Sequence, residues 1–351
     1  MQIRSPLLSV VAVATAIAMP ITTPALAGNP QPDPVLSWLP LPAPLGPPQT
    51  DVDYFMPRVS PSIQIDFATR FFYGMSTTAK NLYEPANIGS GQISRLTYSG
   101  LSSYTAELYG RIATSSGFFL KGFAGIGVTP SGQLHDEDFP PTISPYSSTI
   151  SNQHSGYLNY FTGDAGYNFL RGGDFSLGAY VGYNYFNQGE NAYGCTQTAS
   201  NTSVCTPSYA SGYQVIAENN VWQSLRVGLV GTVLLGDRFK LTGDAAFLPY
   251  VKLNGTDQHL LRIGTVPGDF SGPIAEDGAG WGYQLEAMLS YQVTQSFNIG
   301  VGGRYWHMQT TGNSLENIVG AGSFLAPNDW KTDVYGVFVQ AGLKFGPYPL
   351  N

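Results

Sequence analysis

A chain of 351 residues could hold one large domain or two medium ones, but 42 Gly, 22 Tyr and 19 Phe beside only 11% charged residues point to a single unusual one. No stretch beyond the N-terminus is apolar enough to cross a bilayer as a helix. The formal charge of −7 is modest and dispersed, so no nucleic-acid partner is expected.

The N-terminus reads as a targeting segment. Arg4 supplies a positive start, Leu7 to Met19 an apolar stretch, and Ala25-Leu26-Ala27 a small-residue cleavage signal. An internal helix is the alternative, and the A-x-A ending tells against it. Residues 1–27 are therefore expected to be a signal peptide, with Gly28 first in the mature chain. Residues 28–61, rich in proline (Pro40, Pro42, Pro44, Pro47, Pro48), should form an extended, poorly ordered periplasmic lead-in.

From Ser62 the sequence alternates with period two, the signature of strands. Ile63, Ile65, Phe67 and Phe71 share one face; Gln64, Asp66 and Arg70 share the other. The pattern recurs, among others, at Leu225, Val227 and Leu229 against Ser224 and Arg226. It recurs again at Val337, Val339, Ala341, Leu343 and Phe345 against Phe338, Gln340, Gly342 and Lys344. Apolar faces ending in Tyr or Phe suit a lipid-facing wall with aromatic girdles. A soluble β-sandwich also alternates, but two features disfavour it. The strands run roughly 12 to 20 residues, against about 5 to 6 in soluble sheets. Short turns near Ser115-Ser116, Arg171-Gly172-Gly173, Gly236-Asp237 and Thr294-Gln295 also alternate with long loops at 74–90, 129–154, 189–214, 255–277 and 311–330. Short periplasmic turns and long external loops mark a transmembrane barrel. The expected fold is thus all-β: one antiparallel transmembrane β-barrel of about ten strands over residues 62–345, with a short tail at 346–351. It would sit in a Gram-negative outer membrane, with lipid as its surroundings and both termini periplasmic.

Cys195 and Cys205 enclose a short polar segment in a chain bound for an oxidising compartment, so a disulfide closing a small loop is expected. With no histidine or further cysteine nearby, no metal site is expected there. Alternation turns Asp66, Glu107, Asp164, Asp244 and Glu286 inward with Arg70, Arg111, Lys121, Arg226, Arg304 and Lys344. These should pair, because isolated buried charges are costly. A ten-stranded barrel so filled is too narrow for a wide channel.

Two loop constellations could carry chemistry. In His135-Asp136-Glu137-Asp138, the residues Asp136 and Asp138 lie two apart, so extended backbone points both carboxylates one way. In Asp257-Gln258-His259, an Asp two residues from a His can orient the imidazole and raise its basicity. Taken singly, an acidic pair is more often solvated surface or a weak cation site, and a D-x-H is ambiguous. Lys240, Asp244 and Lys252 set an inward face that, extended, would turn Gln258 inward and Asp257 and His259 outward. A bulge, most naturally at Gly255, would reverse that parity. His154 and His307 read as loop-border or interior polar residues.

The region Phe239 to Leu260 resembles the seventh strand and following loop of the omptin family of outer-membrane proteases, and Tyr335 to Phe345 resembles their last strand. The resemblance extends over residues 62–345, with the ten-strand and five-loop count agreeing. It implies that Asp136 and Asp138 face Asp257 and His259 across the barrel mouth. A water held between them would attack a peptide carbonyl of an extracellular peptide or protein, with no covalent intermediate. His259 would be the base and Asp257 its orienting partner. Glu84 matches a substrate-selecting acid, whereas Gly255 stands where omptins carry another, so strict dibasic preference is not expected. No cofactor is implied, though omptins depend on lipopolysaccharide. Of its outer-wall positions Tyr183 is kept, while Tyr185, Asn187 and Val221 replace a Glu and two Arg. Alternatives are a catalytically silent omptin-like adhesin, or a small channel. Oligomeric state is left open.

Overall fold

The computed structural model describes residues 63–85 and 91–346. The expected signal peptide, the proline-rich lead-in and the tail beyond Gly346 lie outside the described residues. Within them run eleven strands: β1 (Ile63–Tyr83), β2 (Gln92–Thr114), β3 (Phe118–Asp138), β4 (Ser147–Gln153), β5 (Gly156–Arg171), β6 (Phe175–Gln197), β7 (Tyr209–Leu235), β8 (Phe239–His259), β9 (Ile274–Gln292), β10 (Phe297–Ile318) and β11 (Gly322–Phe345). Every pairing is antiparallel, and β1 pairs with both β2 and β11, so the sheet closes on itself. Both β4 and β5 pair with β3 on one side and β6 on the other. They are two halves of one stave, interrupted at His154-Ser155, where Ser155 takes φ 59°. Ten staves therefore make the wall, and closure leaves no unpaired edge for lipid to meet.

The short turns fall at 115–117, 172–174, 236–238 and 293–296, as the alternation predicts. The long loops do not. Strands continue to Tyr83, Asp138, Gln197, His259 and Ile318, through most of what reads as loop. The physical reason is a change of solvent. On β8 the outward residues are apolar or aromatic from Phe239 to Phe247 and Tyr250, then Lys252, Asn254 and Thr256 stand exposed. Above the lipid-facing band the wall meets water on its outer face, so the sequence loses the apolar half of its alternation while the backbone stays paired. Girdles close the band at both levels: Phe239 lies 5.1 Å from Tyr291 and Phe118 5.0 Å from Tyr167 near the short turns, with Tyr73 5.3 Å from Tyr104 and Tyr283 5.6 Å from Tyr305 above.

The lumen at membrane depth holds the expected ion pairs. Arg304 binds Glu286 at 2.6 Å and Glu107 at 2.5 Å; Arg226 binds Asp164 at 2.9 Å; Lys121 reaches Asp164 at 2.9 Å and Asp244 at 2.5 Å. Above this lattice sits an apolar plug that the sequence reading did not foresee. Phe72, Phe123, Phe186, Phe338, Trp222 and Trp306 are buried together. The Arg304 guanidinium lies 3.9 Å from the Phe123 ring centre, so the plug also solvates the lattice beneath it. The void left within the lattice is about 60 Å³. Cys195 and Cys205 form the expected disulfide, tying the end of β6 to the loop before β7.

Candidate active site

Two one-residue bulges decide which side chains the barrel mouth receives. On β8, Leu248 pairs with Gly282 and Val251 with Gly280, so β8 spends three residues where β9 spends two. The extra residue falls at Pro249-Tyr250, not at Gly255. Proline lacks the N–H that a continuous ladder requires, and a bulge is where a strand tolerates it. Inward positions are even up to Leu248 and odd from Val251 onward, which turns Asp257 inward and Lys252 outward. Lys252 is therefore exposed rather than interior, a correction to the simple alternation. β3 repeats the device. Tyr104 pairs with Val128 and Ser102 with Ser131, so the extra residue sits at Thr129-Pro130. Beyond it Leu134 is buried inward, and Asp136 and Asp138 share its face.

The strands carrying these residues face each other across the mouth, separated by β7, β6 and the β4–β5 stave one way and by β9, β10, β11, β1 and β2 the other. His259 Nε2 lies 3.1 Å from Asp257 Oδ2. The imidazole packs against Phe270 at 5.2 Å between ring centres, and Phe270 lies 4.7 Å from the Arg262 guanidinium. Asp136 and Asp138 are close enough that the charge of His259 acts on both. Asp136 Oδ1 and Asp257 Oδ1 are buried and take no hydrogen bond among the described residues. Glu137 points the other way, to Arg95 at 2.5 Å and to the Tyr146 hydroxyl at 2.6 Å. The structure thus brings all four residues to one place and sets Glu137 apart.

These groups stand above the lipid-facing band, and burial governs their protonation. Burial and the neighbouring Asp138 push Asp136 up to about 7. Burial also raises Asp138. Burial works against the charge on His259, but the adjacent Asp257 outweighs it and raises the imidazole. Burial opposes ionisation of Asp257 too; His259 and Lys80 overcome it and hold that carboxyl below its usual range.

Glu84 lies just past β1, its backbone N–H bonded to Gly91 O at 2.9 Å, and none of its described contacts reaches the four residues. At Gly255 an added Cβ would stand 3.2 Å from Glu276 Oε2, so a neighbouring acid occupies the space there. On the outer wall the Tyr183 hydroxyl donates to Gln223 at 2.9 Å, and Tyr185 stacks on Phe161 at 5.4 Å. His154 stacks on Tyr193 at 3.6 Å; His307 Nδ1 meets Asp333 at 2.8 Å. The sequence reading missed Lys80 beneath the dyad, together with Glu218, Glu276 and Glu190. Extending the period-two face of β1 from Phe72 through Ser76 and Thr78 would have reached Lys80.

Over residues 75–345 the chain matches the family model described as Pom, Protochlamydia outer membrane protein. No curated protein matches the sequence. Among solved structures the chain is similar to the outer membrane protease OmpT from Escherichia coli, with a TM-score of 0.62 at 19% identity, covering 81% of this chain and 96% of that one. It is also similar to OprG from Pseudomonas aeruginosa, with a TM-score of 0.35 at 12% identity over 80% and 95% of the two chains. At 19% identity the likeness to the protease speaks for the barrel fold alone.

Proposed function

This chain belongs to the Protochlamydia outer membrane protein (Pom) family, and on that premise we propose that it is an omptin-like endopeptidase of the outer membrane. The observation that carries the reading is the meeting of Asp136, Asp138, Asp257 and His259 at one end of a closed barrel, with His259 3.1 Å from Asp257 and its charge acting on Asp136 and Asp138. The Escherichia coli barrel of similar fold is a protease by name, but the reading rests on this chain's own four side chains.

The chemistry follows from their roles. With Nε2–H donated to Asp257, the Nδ1 lone pair of His259 is free to take a proton from water. The Asp136/Asp138 pair holds that water, the unpartnered Asp136 Oδ1 supplying an acceptor. The water attacks a peptide carbonyl on the extracellular face, and no acyl-enzyme forms. Aspartates this close titrate as a unit. Since Asp136 is pushed up to about 7, cleavage should climb as pH rises through about 7, where that carboxyl ionises, and the raised His259 must also lose its proton to act as base. The lattice and plug that fill the lumen weigh against the channel alternative.

Cells displaying the protein are expected to cut an exposed peptide library. His259→Ala should lower the rate by about 10² to 10⁴, the usual cost of a lost general base, while the barrel keeps its heat-modifiable gel migration. Assays with and without added lipopolysaccharide cover the lipid dependence of omptins. A library left uncut in both, or a His259→Ala protein cutting as fast as the parent, would overturn the reading and leave the adhesin.

A further inference from the structure

Beneath the dyad, one lysine meets a crowd of acids at complete burial. Lys80 enters from β1 and places Nζ 2.6 Å from Asp257 Oδ2, 2.8 Å from Glu276 Oε1 and 3.2 Å from Glu218 Oε2. Its side chain and those of Glu218 and Glu276 are 0% exposed, and that of Asp257 is 2% exposed. The Trp330 ring, 4.9 Å from Nζ, closes another side. Asp257 Oδ2 thus accepts from two donors, Lys80 Nζ and His259 Nε2, while Oδ1 takes none among the described residues. From these contacts we infer that Lys80 is the positioning residue of the dyad: it fixes the carboxylate oxygen to which His259 is hydrogen-bonded.

The inference rests on the peptidase reading for its catalytic consequence, but its physical content stands on the contacts. Asp257 is faced by Lys80 from β1, Tyr98 from β2, Asp136 from β3, Glu218 from β7, Glu276 from β9 and Glu316 from β10. Glu190 from β6 faces the same lysine. Lys80 is the one permanent cation in that set, against a crowd of carboxyls. Without it, a buried Asp257 among Glu218 and Glu276 would bind a proton rather than keep a charge, since like charges in a dry site cannot all ionise. Asp257 would then donate its own hydrogen or turn away, and His259 would lose both its orientation and its counter-charge.

Lys80→Met, in full-length protein in micelles, tests this. The chain has four histidines, so histidine-selective isotope labelling gives four resolvable titrations, with His259 assigned by its loss in His259→Ala. The His259 midpoint should fall by about one pH unit or more in Lys80→Met. It should return toward the parent in Lys80→Met/Glu218→Gln/Glu276→Gln, where no acid competes for the charge. Peptide cleavage by Lys80→Met should drop about 10²-fold in kcat with KM little changed, since misplacement rather than lost binding is the cause. Should Lys80→Met fail to insert, Lys80→Gln keeps a donor without the charge and is expected to move the midpoint the same way. A midpoint that stays or rises overturns the inference, because simple removal of a nearby positive charge would raise it. A parent that cuts nothing yet shows the fall overturns the peptidase and leaves the role of Lys80 standing.

Discussion

The barrel holds two buried charge clusters, and they are built on opposite accounts. At membrane depth Arg70, Lys121, Arg226 and Arg304 meet Glu107, Asp164, Asp244 and Glu286, a base for every acid, with Tyr160 donating to Glu107 and Tyr180 to Asp244. Near the mouth a single Lys80 meets Asp257, Glu218 and Glu276, with Glu190 beyond them. A matched lattice ties strands together across the lumen and acts as a strut. An unmatched cluster holds acids whose protons are loosely assigned, the condition that acid–base chemistry requires. The two differ in balance, not in burial, and balance is what separates scaffold from site here.

Substitutions should sharpen that contrast, beginning with activity. Asp136→Asn and Asp138→Asn are each expected to cut peptide cleavage by about 10² or more, whereas Glu137→Gln, tied to Arg95 and Tyr146 on the other face, should leave it nearly intact. Equal effects at all three positions would mean that only surface charge is being read. In the lattice, Arg304→Met leaves Glu107 and Glu286 to share Arg70 and should cost about 3 to 5 kcal/mol, seen as a lower midpoint of the heat-modifiable gel transition. An unchanged midpoint would show the lattice to be dispensable. The smallest effect carries the most telling sign. Burial pushes Glu190 up to about 8 from an ordinary 4.5, so the folded state binds a proton there that the unfolded chain has released. Its contribution is whole below about pH 4.5 and fades as pH rises to about 8. The gel-transition midpoint should therefore fall between pH 5 and pH 8, and Glu190→Gln should flatten that fall. A variant with the parent's full pH dependence would move the origin of the slope elsewhere.

Legibility in the sequence followed the solvent. Where β1 to β11 face lipid, alternation marked both faces, and the eleven charges read as inward at that depth do line the interior, whereas Lys252 above it was placed on the wrong side. The inward aromatics were harder: Phe338 lay on the interior face of its strand, yet an apolar residue there carries no mark that distinguishes plug from wall. Above the lipid the outer face turns polar, the contrast that alternation relies on vanishes, and β1 beyond Gly74 read as loop. Lys80 was lost with it. The dyad was found by its spacing, but its orientation hung on one extra residue. Periodicity cannot reveal that residue, although Pro249 within a strand pattern was its local sign.

The bulges at Pro130 and Pro249 have a consequence for kinship. Each divides its strand into a lower and an upper segment whose inward phase is set separately. Inheritance in such a chain is punctuated: a residue gained or lost at the bulge exchanges every facing side chain above it, while one exchanged for another changes a single contact. When relatives are aligned, a gap of one residue at either proline, or between Val251 and His259, turns what lies above it to the other face unless a second gap restores the phase. A descendant that slipped by one there would carry the same letters, Asp257 and His259 among them, and present them to the outside.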